Sequence, residues 1–384
     1  ARQRLASLEN FVRSDPGNVA LLIDAFETAL SCHDWERALF HLRHGQALET
    51  DPWGWRLREG DYWLAQGRFA EAADVLQAPS DSDDSPPGFR ETVLHNLAFV
   101  DFRQSKYTEC ANRLAPVLSA PDGTARPVSP GPVEAAMQAL WLRALHHDLQ
   151  LDRAMDWARS ADQAGLLRGG AAGVASLVAI DASDMRAAQR WSARSLEEAR
   201  EAPPVPEALV TQASLALGMR DEKRARQLAG GALQLMPNDG RSLSVLGFAD
   251  LLAGNLPQAG ATFARALEAM PSHIGTWHGS AWTRKLAKDL PGARQHFEQA
   301  LSLDRNFAES HGGLAVVLAM QGEQTDARTH AEVALRLDPA NVSGRYAQAI
   351  LSGQVKDARD LQRIAKRLLA GVRDPSGEDL GNLF

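Results

Sequence analysis

Small apolar residues recur along the C-terminal half of the chain at a constant step. Ala225, Ala259, Ala293 and Ala327 are each 34 residues apart, as are Ala232, Ala266, Ala300 and Ala334. The same step links Ala213, Gly247, Ala281, Ala315 and Ala349, and links Leu233, Leu267, Leu301 and Leu335. It joins Pro237 to Pro271, and Pro339 resumes that series after Arg305 interrupts it. A step of this length suits one supersecondary unit that buries its apolar face only against the next, so the pattern predicts stacked helix pairs. Gly247 and Ala259 are expected to face each other across a pair, letting two backbones approach to roughly 8–10 Å. Ala266 is expected to do the same toward the following unit. Gly254 and Gly322 fall where the chain must reverse and a positive φ suits glycine. Pro271 and Pro339 end the second helix of their pairs. Phe263 and Phe297 are expected to fill the wedge between neighbouring pairs.

The best copy runs from Gly240 to His273 and carries Leu243, Leu246-Gly247, Gly254, Ala259, Phe263, Ala266-Leu267 and Pro271. Trp277, Ala281, Ala293, Phe297 and Ala300 repeat it, followed by Leu314-Ala315, Gly322, Ala327, Ala334 and Pro339. This pattern resembles the tetratricopeptide repeat (TPR) family, which has two antiparallel helices per unit. The resemblance implies an all-α fold, a right-handed α–α superhelix of about ten helix pairs, with a charged C-terminal capping helix.

Upstream the template is looser. Pro16 to Pro52 encloses one helix pair, with Trp35 and Ala38 entering its second helix. Gly60, Trp63, Gly67, Phe69, Ala72 and Leu76 form a second copy, and Leu94, Leu97-Ala98, Tyr107, Cys110 and Leu114 a third. Residues Gln3 to Ser14 read as the second helix of a truncated unit. Two degenerate pairs follow from Val133 to Ala202, anchored by Ala144 with Ala154 and by Ser176 with Ala188, and their turns lack the expected glycine. The stretches 79–88 and 119–131 are too rich in turn formers to be helical. The expected division is residues 1–118 as N-terminal units, 119–205 as a loop with two degenerate pairs, 206–371 as the regular array with its cap, and 372–384 as a tail.

Composition adds little that is specific. Hydrophobic residues make up 45% and charged residues 23%, which suits a globular chain with a core. The formal charge is −7, so there is no general attraction to phosphate backbones, and nucleic acid is not expected as a partner. No apolar run has the roughly 20 residues of a membrane span, so no membrane insertion is expected. Cys32 and Cys110 suit a reducing compartment, cytoplasmic in expectation, with a processed periplasmic protein as the alternative. The chain starts at Ala1 with no signal-like run, which reads as a processed protein or part of a larger one. Arginine outnumbers lysine 35 to 6, pointing to a GC-rich, bacterial source.

Catalytic signatures are not found. There is no phosphate-binding glycine loop, Cys-x-x-Cys pair, His-Glu-x-x-His or Gly-x-Ser-x-Gly elbow. Gly169-Gly170-Ala171-Ala172-Gly173 follows no predicted strand and reads as a loop and helix start with small packing residues. Asp81, Asp83 and Asp84 lack the glycine and glutamate of a calcium loop, since Pro86 and Thr92 stand there. His41 with His44, and His146-His147, each offer two metal ligands at most and read as exposed polar residues on helices. No catalytic residue, metal or cofactor is assigned.

The surface lined by the first helix of each pair is the expected binding face. Large side chains not claimed by packing are the candidates for partner contact: Trp282 with His278 and Lys285 on one helix, Arg241 and Phe248 one unit earlier, and His95, Asn96, Phe99, Phe102 and Arg103 in the third unit. Members of the family that clamp a terminal carboxylate carry Lys, Asn and Arg on these helices. Here those positions read Ser244, Phe248, Gly279, Glu309 and Gly313, and none matches. The asparagine ladder of the sugar-transferase type is replaced by Val245, Gly279 and Gly313, with only Asn96 fitting upstream. Residues 1–120 hold 12 basic and 18 acidic side chains against 16 and 15 in 241–384, so a basic partner would be steered toward the N-terminal end. Lys356, Arg359, Arg363, Lys366 and Arg367 read as a solvated cap. The expected function is a non-catalytic scaffold that binds a protein or peptide. The alternatives are a recognition module of a multidomain enzyme and a chaperone or adaptor for secretion or envelope-assembly subunits.

Overall fold

The computed structural model describes residues 1–77, 86–127, 131–199, 203–355 and 358–371. These residues form helices and connecting turns, with no strand among them and one isolated bridge, Ser119 to Ala125, in the loop expected near 119–131. The acidic run Asp81, Asp83 and Asp84 and the expected tail lie outside the described residues. Contacts group the chain into two units, Ala1–Ala182 and Ser183–Phe384.

Unit 1 comprises α1 (Arg2–Ser14), α2 (Val19–Ser31), α3 (Trp35–Ala47), α4 (Pro52–Ala65), α5 (Phe69–Gln77), α6 (Phe89–Arg103), α7 (Tyr107–Leu118), α8 (Pro132–His147), α9 (Leu151–Gln163) and α10 (Gly169–Asp181). Unit 2 comprises α11 (Met185–Glu198), α12 (Pro206–Gly218), α13 (Glu222–Leu235), α14 (Gly240–Leu252), α15 (Leu256–Ala269), α16 (Ile274–Leu286), α17 (Leu290–Leu303), α18 (Ala308–Gln321), α19 (Gln324–Leu337), α20 (Val342–Leu351) and α21 (Ala358–Leu369). Within each unit a helix packs on its successor and, for the first helices of the pairs from α4 on in unit 1 and from α12 on in unit 2, on the helix two further on. This is the helix-pair stacking that the family resemblance implies.

The local reasons are legible at the helix ends. Asp239, His273 and Asn341 fall on one 34-residue series, and each accepts a hydrogen bond from a backbone N–H in the first turn of α14, α16 or α20. Such caps satisfy donors that the helix itself leaves unpaired. Proline occupies the first turn of α4, α8, α12, α15 and α17, where its missing N–H costs nothing. The turn inside each pair holds one residue at positive φ. Gly67, Gly254 and Gly322 do so with glycine, while His33, Ser105, Leu149, Arg220 and Lys288 do so without it.

The alanine series is buried throughout, with Ala259, Ala266, Ala293, Ala300, Ala327 and Ala334 wholly inaccessible. Phe263 and Phe297 fill the space between pairs as expected. Gly247 makes room for the Phe263 ring, which lies one turn beyond Ala259 on the same helix face, because a Cβ at Gly247 would stand 2.7 Å from Phe263 Cε1. Cys110 is a buried small residue in the unit 1 core, its thiol pushed up to about 12 by burial. The glycine-rich run starts α10 and buries Ala171, Ala172 and Gly173, as its packing role requires.

Candidate functional site

In unit 2 the first helices of the pairs, α14, α16, α18 and α20, lie side by side, and a polar contact stitches each to the next. Thr276 Oγ1 donates to Ser244 Oγ at 3.0 Å between α16 and α14. His278 Nε2 and Ser310 Oγ share a hydrogen bond of 2.7 Å between α16 and α18. Asn341 Nδ2 at 3.1 Å and Ser343 Oγ at 2.6 Å both donate to Glu309, tying the start of α20 to α18. Buried polar groups demand partners, and the repeat supplies one at each junction.

His278 is therefore placed in the α16–α18 junction, 8% exposed, with its ring against Phe297 and Phe307. Burial pulls its pKa down to about 4, so the imidazole is neutral at physiological pH. Trp282 stands one turn further on, partly exposed, with its ring edge-on to Phe297 at 5.4 Å. Lys285 follows on the same side. Its Nζ lies 5.7 Å from the centroid of the Trp282 ring and 5.8 Å from that of Tyr346 on α20. Burial lowers the Lys285 pKa and raises those of Tyr346 and Glu309. One unit earlier Phe248 meets Phe263 edge-on at 5.1 Å, and Arg241 is partly exposed at the start of α14.

The unit 1 candidates separate into two groups. His95 Nδ1 lies 3.0 Å from Asn96 Oδ1, and Asn96 Nδ2 donates to Asp61 on α4 at 3.2 Å. The His95 ring stacks on Phe99, and the Arg103 guanidinium lies 5.7 Å from the Phe99 centroid. Phe102 belongs elsewhere, edge-on to Tyr107 and His147. Asp61 is raised to about 6 by burial, against the opposing pull of Arg58 and the Asn96 hydrogen bond. Reading along single helices missed Asp61, Tyr346 and Glu309. The repeat step was the signal available: Tyr346 is two periods after His278, and Asp61 is one period before His95.

Of the two histidine sets only His41 is buried, and His147 is exposed as expected. His41, expected to be exposed, is buried instead, 3.5 Å from Glu9 on α1. His146 Nε2 is 2.7 Å from Asp181, and His147 stacks on Tyr107. Among the described residues no three His, Cys, Asp or Glu side chains gather as a metal site would require, and no helix is long and apolar enough to cross a membrane.

No family model matches the chain. No curated protein matches it either. Similar solved structures include the APC/C hetero-tetramer Cut9–Hcn1, with 14% identity over 96% of this chain and 81% of that one at a TM-score of 0.47. A thermophilic TPR protein of Thermus thermophilus shows 20% identity over 48% of this chain and 100% of its own, TM-score 0.41. YrrB, a TPR protein with an unusual peptide-binding site, shows 16% identity over 46% and 90%, TM-score 0.35.

Proposed function

We propose that the chain is a non-catalytic interaction scaffold that holds a peptide segment or partner protein against the face formed by α14, α16, α18 and α20. The observation that supports this reading is the trio Trp282, Lys285 and Tyr346. Three large side chains stay partly exposed side by side on helices whose buried positions hold mainly small and aliphatic residues. Trp and Tyr combine a large apolar area with a polar handle, the combination enriched where partners are held. Arg241 and Phe248 extend the face along α14. His95, Asn96, Phe99 and Arg103 with Asp61 form a separate candidate surface in unit 1, and Phe102 is set apart from it against Tyr107 and His147.

Affinity purification from the native source with wild type and Trp282→Ala tests the reading. A stoichiometric client is expected with the wild type, and the variant is expected to lose about 2 kcal/mol of affinity for it. Unchanged capture by a Trp282→Ala protein of unchanged melting temperature refutes the reading.

A further inference from the structure

Lys285 is a cation set among aromatic rings, with no group among the described residues to neutralise it. Among the described residues its amine enters no ion pair and no hydrogen bond, and Trp282 and Tyr346 are its ring neighbours at 5.7 and 5.8 Å. Burial alone accounts for its lowered pKa, with no charge acting on it. The carboxylate on this face, Glu309, is committed to Asn341, Ser343 and Trp282, and Lys285 is not among the groups that act on it. The Tyr346 hydroxyl likewise makes no hydrogen bond to the described residues. A part-desolvated ammonium gains only modestly from ring faces, whereas an anion brought to the same spot would meet it in a low-dielectric setting where a charge-assisted bond is strong.

We propose that Lys285, walled by Trp282 and Tyr346, docks the side-chain carboxylate of an aspartate or glutamate in an extended segment of the partner. This rests on the binding-face reading above and gives its ligand a chemistry. A side chain fits better than a chain terminus. A terminal carboxylate calls for several converging donors, and the Asn and Ser donors on this face are spent on Glu309. A single amine with apolar walls suits one acidic side chain whose methylenes lie along the rings.

Phage-displayed random peptides selected on the full chain test the assignment. Clones of the binding face are those lost on Trp282→Ala, or on Tyr346→Ala if the first variant melts early, and they are then synthesised as amidated peptides. These clones are expected to share one acidic position, and its replacement by the matching amide residue is expected to weaken binding to wild type about tenfold. Lys285→Met, which keeps an apolar stem over the rings, is expected to erase that difference. Three results overturn the assignment while leaving the binding face intact: clones with no shared acidic position, an acid-to-amide penalty that survives in Lys285→Met, or binding that appears only with a free C-terminal carboxylate. If no clone depends on either aromatic residue, the binding-face reading fails and this inference fails with it.

Discussion

The Phe263 ring occupies the space that a side chain at Gly279 would need. A Cβ at Gly279 would stand 2.5 Å from Phe263 Cζ, and Phe297 faces Gly313 in the same way one unit later. The missing side chain on one pair is thus the socket for the aromatic ring of the pair before it.

Gly279→Ala should therefore destabilise the array. Alanine is the better helix former by about 1 kcal/mol. The clash with a wholly buried ring is the larger effect, with overpacking costing about 1–3 kcal/mol. Gly260 in α15 provides the control, because a Cβ there meets nothing within 4 Å. Urea unfolding followed by circular dichroism should show Gly279→Ala with a lowered midpoint and Gly260→Ala with an equal or raised one.

Lys288 holds φ at 66° in a turn where the copies one period before and after place Gly254 and Gly322. A left-handed conformation costs an L-residue about 1–2 kcal/mol, and glycine gives back part of that relief through its freer unfolded chain. Lys288→Gly should gain about 0.5–1 kcal/mol in the same denaturation experiment. Gly254→Ala should lose a similar amount, and equal midpoints for both variants would contradict the strain.

The fold was legible because packing at fixed offsets leaves few choices: only a small residue fits at Ala259 or Ala266 and only glycine at Gly279, so the period is written in residue type. Turns such as Leu149, Arg220 and Lys288 were harder to see, since a surface turn tolerates a strained residue and writes nothing into the sequence. The site was half legible. Trp282 and Lys285 share a helix, so the i, i+3 rule placed them together. Tyr346 and Asp61 meet their partners across helices, at separations that no rule along a single helix covers. His41 shows the reverse failure, because a polar side chain one turn from His44 gave no sign that α1 covers it through Glu9.

His278 makes stability fall with acid. Its folded pKa is about 4 against an ordinary 6.5, so the folded state binds the proton less well than the unfolded chain. Its contribution is complete above about 6.5 and is lost as pH drops toward 4, by up to roughly 3 kcal/mol. Unfolding free energy measured between pH 7 and pH 4 should decline, and His278→Gln should flatten that decline. A variant with the wild-type slope would exclude His278 as the cause.

Asp61 works in the opposite sense. Its folded pKa is raised to about 6 from an ordinary 3.8, so the folded state holds the proton more tightly than the unfolded one. Stability from this group is complete below 3.8 and is lost as pH rises through 6, leaving a poorly solvated carboxylate at neutral pH. Asp61→Asn removes that charge and leaves an amide that can still meet Asn96. The variant should be more stable than wild type at pH 7.5, by up to roughly 3 kcal/mol, with the gain vanishing near pH 4. A neutral-pH gain is also the result that keeps Asp61 open as a docking point, since a partner's cation would then relieve a cost the free protein bears. If Asp61→Asn is instead less stable at pH 7.5, the carboxylate is already well paired through Asn96 and Arg58, and Asp61 holds α4 to α6 rather than waiting for a ligand.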